Sequence, residues 1–168
     1  MRYLSKTEVL FIHIYIIDEY FASLKSPEEN RGVVDPAALD SAVSLPAQTF
    51  DGQELYKDIF WKVAALFRSI IKDHPFLDGN KRTAAMAALM FLDANGYRLI
   101  CSDQELIDFA LKIARRKKHS LRDIRYWFKS RCRKHHGSME GRKRLFAALF
   151  SSIQRFLSSS KEGSREES

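Results

Sequence analysis

Apolar residues recur along this chain at intervals of three and four, and clean alternation is almost absent. That period marks helices with one buried face. A first helix is predicted behind Ser5-Lys6-Thr7-Glu8, a capping box whose hydroxyl and carboxylate satisfy opposing free N–H groups. It carries Val9, Leu10, Ile12, Ile16 and Ile17 and fades near Tyr20. Asp35-Pro36 opens a short second helix, Asp as N-cap and Pro at the first helical position, and Pro46 closes it. Ile59, Phe60, Val63, Ala64, Phe67, Ile70 and Ile71 make a strongly periodic helix between Lys57 and Asp73. Ser102-Asp103-Gln104-Glu105 is a second capping box, ahead of Leu106, Phe109, Ala110 and Ile113, to about Arg116. Ser120 caps a helix with Leu121, Ile124, Trp127 and Phe128 on one face. A last amphipathic pattern runs over about Met139 to Leu157.

One segment breaks the amphipathic rule. From Ala84 to Leu92 the sequence is apolar on every side, so this helix belongs at the centre of the fold. Its alanines allow close approach of neighbours, and Asn95-Gly96 supplies the left-handed C-cap. Tyr97 to Ile100 is expected to be briefly extended. Thr49-Phe50 and Leu55-Tyr56 flank Asp51-Gly52, which suits a small hairpin or a plain connecting loop equally well. The resulting fold class is all-α, a helical bundle around a central buried helix at about 80–95.

Composition adds three constraints. No apolar run approaches the ~20 residues of a membrane span, and MRYLSKTEVL lacks a signal-peptide plan, so a membrane-free, cytoplasmic setting is expected. Cys101 and Cys132 stand far apart and match no metal or disulfide spacing. His13, inside the first apolar stripe, has no second His or Cys at helical spacing and reads as a core or boundary residue. The net charge of +7 is unevenly placed: between Lys112 and Arg144, fourteen Lys and Arg face only Asp123 and Glu140. The last third is therefore strongly basic, and with Tyr126, Trp127 and Phe128 interleaved, residues 112–144 are a candidate for weak RNA or DNA contact.

The candidate chemistry precedes the central helix, in His74-Pro75-Phe76-Leu77-Asp78-Gly79-Asn80-Lys81-Arg82. The first N–H groups of a helix have no internal partners and lie at the positive end of its dipole. Gly79 lets the backbone approach a ligand, while Asn80, Lys81 and Arg82 bring further donors and positive charge. Together they describe a phosphate cradle without the P-loop spacing. Asp78 is the nearby carboxylate able to hold Mg²⁺ against a polyphosphate. His74 suits removal of a proton from a hydroxyl nucleophile. Phe76 is expected to plug into the core and pin the loop. The plainer alternative, a surface turn with a helix cap, leaves so dense a group of polar residues unexplained.

HPFLDGNKRTA resembles the signature of the Fic/Doc family, H-x-F-x-[D/E/A]-[G/A]-N-[G/K]-R. Lys81 stands where typical Fic enzymes have a second Gly, and Ala85 where they have a second Arg, as in the Doc (death-on-curing) branch. YLSKTEVLFIH, GVVDPAALDSAV, QTFDGQELY and FLDANGYRL followed by SDQELIDFAL resemble the family in the same order, from about Tyr3 to Arg131. The resemblance implies a toxin of a toxin–antitoxin system, held in check by a small antitoxin protein. It implies transfer of the γ-phosphate of ATP, with Mg²⁺, to a protein hydroxyl, in the family a threonine of elongation factor Tu, halting translation. Fic-type transfer of AMP is the alternative, and nucleic-acid binding by the basic third is a further one. Carried over by position, His74 is the general base, Asp78 serves the metal or proton traffic, Gly79, Asn80 and Lys81 form the anion site, and Arg82 grips phosphate. Thr49, Phe50, Asp51 and Gly52 fall in a flap that docks the target, which favours the hairpin.

The resemblance divides the chain into a catalytic domain at 1–131, a basic amphipathic helical extension at 132–157 and a polar tail at 158–168 expected to be disordered. Three roles fit the extension: an inhibitory helix in cis, a ribosome or RNA contact, or a thicker core. Ser158 to Gly163 matches the S-x-x-x-E-G form of the Fic inhibitory motif. Its usual partner, the second Arg, is here Ala85, and the match reads as chance.

Overall fold

The computed structural model describes residues 1–22, 32–115 and 120–135. The helix expected over about Met139 to Leu157 and the tail at 158–168 lie outside the described residues. Among those described there are six α-helices: α1 (Lys6–Ala22), α2 (Pro36–Ser44), α3 (Ile59–Asp73), α4 (Asn80–Ala94), α5 (Asp103–Arg115) and α6 (Leu121–Arg131). Two antiparallel pairs join them, β1 (Thr49–Phe50) with β2 (Gln53–Glu54), and β3 (Tyr97–Leu99) with β4 (Cys132–Lys134). The helical bundle expected from the pattern is the fold observed. No helix among the described residues is long and apolar enough to cross a membrane.

The caps follow the sequence closely. Both capping boxes form: Ser5 N–H donates to Glu8 at 2.8 Å and Ser102 N–H to Glu105 at 2.9 Å, with the reciprocal hydroxyl bonds in place. Asp35 accepts from Ala38 N–H and Ser120 from Asp123 N–H. Asp58, which the apolar period alone did not single out, is the N-cap of α3, accepting from Trp61 N–H at 2.9 Å. It also ion-pairs with Arg125 and so ties α3 to α6. Pro46 does more than stop α2: it sits buried in a 3₁₀ turn, Leu45–Ala47.

Helix α4 lies at the centre, packed against α1, α3, α5 and β3. Ala84, Ala87, Ala88, Phe91 and Leu92 are wholly buried, as are Val63, Ala64, Phe67, Ile70 and Ile71 of α3. Polar character is confined to its ends, Lys81 and Arg82 at the start and Asp93 near the close. Strand β4 corrects the start of the helical extension expected at 132–157: Cys132–Lys134 are extended, not helical, because β3 offers them a strand edge. Its three residues pair with β3, and beyond it His135 bonds Asp93 at 2.8 Å.

The β1–β2 hairpin turns at Asp51-Gly52, both with positive φ (49° and 71°), the geometry Asp-Gly favours. Phe50 at its tip is 76% exposed. The hairpin is fastened to α3 by Lys62, a lysine only 1% exposed whose ammonium donates to Tyr3 Oη (3.0 Å), the Pro46 carbonyl (3.1 Å) and Glu54 (2.9 Å). Burial alone would push Lys62 down, but the bonds to Tyr3 and Glu54 outweigh it and hold it above the ordinary lysine value. Glu54→Ala leaves that buried ammonium with neutral acceptors only. It is expected to cost about 1–3 kcal/mol, with no further loss in a Lys62→Met background, as read by urea unfolding.

Candidate active site

Between α3 and α4 the chain makes a short loop that several segments hold in place. It leaves α3 at His74, an exposed residue in the left-handed region (φ 48°, ψ 56°), a conformation that costs a non-glycine residue about 1–2 kcal/mol. Residues 32–35 clamp Pro75, Phe76 and Leu77. The Pro75 carbonyl accepts from Val34 N–H (2.9 Å) and Asp35 N–H (3.2 Å), Leu77 N–H donates to Gly32 (3.0 Å), and Val33 bridges Phe76. Phe76 plugs into the core at 1% exposure, as its place in the sequence suggested.

Asn80 closes the loop on itself. Its side-chain oxygen accepts from Phe76 N–H at 3.0 Å and its amide nitrogen donates to the Phe76 carbonyl at 2.7 Å. The side chain is therefore engaged on the loop's own backbone, a use that its residue type alone did not reveal. Gly79 precedes it at φ 73°, the N-cap position of α4, without a side-chain cap for the helix. The first turn of α4 thus opens with backbone N–H groups at the positive end of the dipole. Asp78 is exposed and accepts from Gly79 N–H at 2.5 Å.

Asp78, Gly79, Asn80, Lys81 and Arg82 line one wall of a cleft of about 270 Å³. The rest of its lining is apolar, from Ile107, Ala110 and Leu111 of α5. Such a mixed cleft accommodates a phosphate chain at one side and an apolar or aromatic ring at the other. Ile107 and Leu111 escaped the sequence reading. The available signal was that they lie one turn apart, beside rather than within the Leu106, Phe109, Ala110, Ile113 stripe that packs on the core. Of the residues singled out by sequence, the cleft unites Asp78 through Arg82. His74 stands at the start of the same loop, outside the cleft lining. The hairpin of Thr49, Phe50, Asp51 and Gly52 is anchored on α3 at Lys62, roughly 18 Å along the helix axis from His74.

A clamped loop, a glycine at a helix start and a basic cleft are features that comparison with known proteins puts in context. The Fic/DOC family model matches residues 3–92, which takes in the hairpin, the loop and almost all of α4. Toxin Doc of Mycolicibacterium smegmatis is 45% identical over 67 residues, 40% of this chain and 52% of that protein, so the match spans about half the length of the relative. Protein kinase doc of Escherichia phage P1 is 30% identical over 114 residues, 68% of this chain and 83% of the phage protein. With Lys81 and Ala85 at the two positions that separate the branches, the chain belongs to the Fic/Doc family, on its Doc side.

Proposed function

We propose that this protein is a Doc-type toxin that transfers the γ-phosphate of ATP to a hydroxyl of a protein target. The observation that carries the reading is the cleft lined by Gly79, Asn80, Lys81 and Arg82, at the start of a helix that has no side-chain cap. The phage relative is named a protein kinase, which supports the same reaction class. ATP enters with its phosphates against the start of α4 and its ring toward Ile107 and Leu111. His74 takes the proton from the target hydroxyl, the oxygen attacks the γ-phosphorus in line, and ADP leaves. Lys81, Arg82 and the helix N–H groups neutralise charge on the transferring group, the main contribution a protein makes to phosphoryl transfer. A single exposed carboxylate on the cleft wall, Asp78, fits Mg²⁺ arriving with the nucleotide, since that ion commonly takes one or two carboxylates and phosphate oxygens. Bound there, it would add charge neutralisation at the phosphates.

Target docking by the exposed hairpin, a threonine of elongation factor Tu as acceptor, and a small antitoxin as partner complete the reading. Incubation with elongation factor Tu and MgATP, followed by intact-mass measurement, tests it. A phosphate-sized increment is expected. A nucleotide-sized increment would mean AMP transfer instead. Lys81 is exposed, so Lys81→Gly is expected to lower the melting temperature by no more than the few degrees that glycine costs a helix, and to lower phosphate transfer by about 10²-fold, the scale of losing one charge-stabilising donor. Steady-state kinetics on the folded variant reads this.

A further inference from the structure

Three residues of the loop motif converge on one buried ring outside it. His13 of α1 is 0% exposed. Its ring stacks on Phe76 with centroids 3.8 Å apart and planes 11° from parallel. Its Nδ1 shares a hydrogen bond of 3.2 Å with Thr83 Oγ1 in the first turn of α4. A Cβ placed on Gly79 would stand 3.6 Å from its Cε1 and Nδ1, so the backbone at the helix start rests against the same ring.

The geometry points to His13 as a positioning residue for the phosphate cradle. This inference rests on the phosphotransfer reading of the cleft. The ring acts as the back wall of the site. It sets where Phe76 enters, where Thr83 holds the first turn, and how far the Gly79 backbone lies from α1. Asn80 closes the loop from the front by bonding both backbone groups of Phe76. His13 fixes the rear. A wholly apolar ring would keep the stack on Phe76 but leave the buried Thr83 hydroxyl without this bond, a polar group that helps fix the axial position and rotation of α4. The N–H groups aimed at the phosphates move with that turn. A displacement of about 1 Å at a reacting centre lowers rate by about 10²-fold.

The variants that isolate this role are His13→Phe, which keeps a stacking ring, and Thr83→Val, which keeps the helix and its volume. Each is expected to lower kcat for phosphate transfer by about 10²-fold, with KM for the protein target unchanged, because the docking hairpin is anchored elsewhere on α3. The double variant is expected to lose no more than either single one, since both remove the same bond. Hydrogen exchange at the bonded amides of Phe76, Leu77 and residue 83, measured without ligand, is expected to quicken in both. Unchanged exchange together with parental kcat in the folded variants overturns the positioning role. Quickened exchange in a protein whose parent transfers no phosphate retains the role of His13 and rejects the phosphotransfer reading instead. If His13→Phe does not fold, Thr83→Val alone decides by the same two measurements.

Discussion

His74→Ala is expected to lower phosphate transfer by about 10²- to 10⁴-fold, the usual range for loss of a general base, while ATP affinity stays near that of the parent. The split follows from where His74 lies. It is exposed at the last turn of α3 and does not line the cleft between α4 and α5, so the nucleotide keeps its walls without it. Histidine is enriched among non-glycine residues at positive φ, so alanine fits the left-handed backbone of residue 74 less well and a modest loss of stability is also expected. Calorimetric titration with MgATP beside a transfer assay separates the two effects. Equal loss of binding and of rate would place His74 among the nucleotide contacts rather than at the acceptor hydroxyl.

Gly79→Ala is the second large effect, and it is one of stability and site geometry together. At φ 73° an L side chain costs about 1–2 kcal/mol. The new Cβ would also stand 2.8 Å from Ile17 Cδ1, and Ile17 is 1% exposed in a packed core, so its side chain has little room to yield. Overpacking of that kind costs about 1–3 kcal/mol. The melting temperature is expected to fall by roughly 4–20 °C for a chain of this size, with transfer abolished because the turn that presents the α4 N–H groups is displaced. Gly52→Ala is the matched control. It has nearly the same φ, 71°, and nothing within 4 Å of the added carbon. It should carry the backbone cost alone, and differential scanning calorimetry of the two variants measures the difference. Equal losses would mean that the contact with α1 contributes nothing.

What the sequence disclosed depended on how local each determinant is. The capping boxes at Ser5 and Ser102 and the N-cap at Asp35 involve residues three apart, and the structure forms all of them. The central placement of α4 follows from apolar residues on every side, which no solvent-facing helix tolerates. The loop's density of polar groups was equally visible, and its role as one wall of the cleft needed only the helix start behind it. Determinants distant in sequence stayed hidden. His13 and Thr83 are 70 residues apart, and neither type announces the other. Lys62 would be placed on a solvated face by its charge, yet Tyr3, Pro46 and Glu54 gather around it from three segments. Strand β4 is three residues long and owes its shape to β3. The apolar wall of Ile107 and Leu111 was present in the pattern as residues beyond what core packing required, but only the neighbouring α4 turn gives them a purpose.

The most direct test of phosphate transfer by this site uses two preparations of ATP, one labelled at the γ-phosphate and one at the α-phosphate, with elongation factor Tu as acceptor. Label from the γ-position alone should appear in the target and vanish with His74→Ala. Label from the α-position would contradict phosphate transfer, and so would no label from either with protein that binds MgATP.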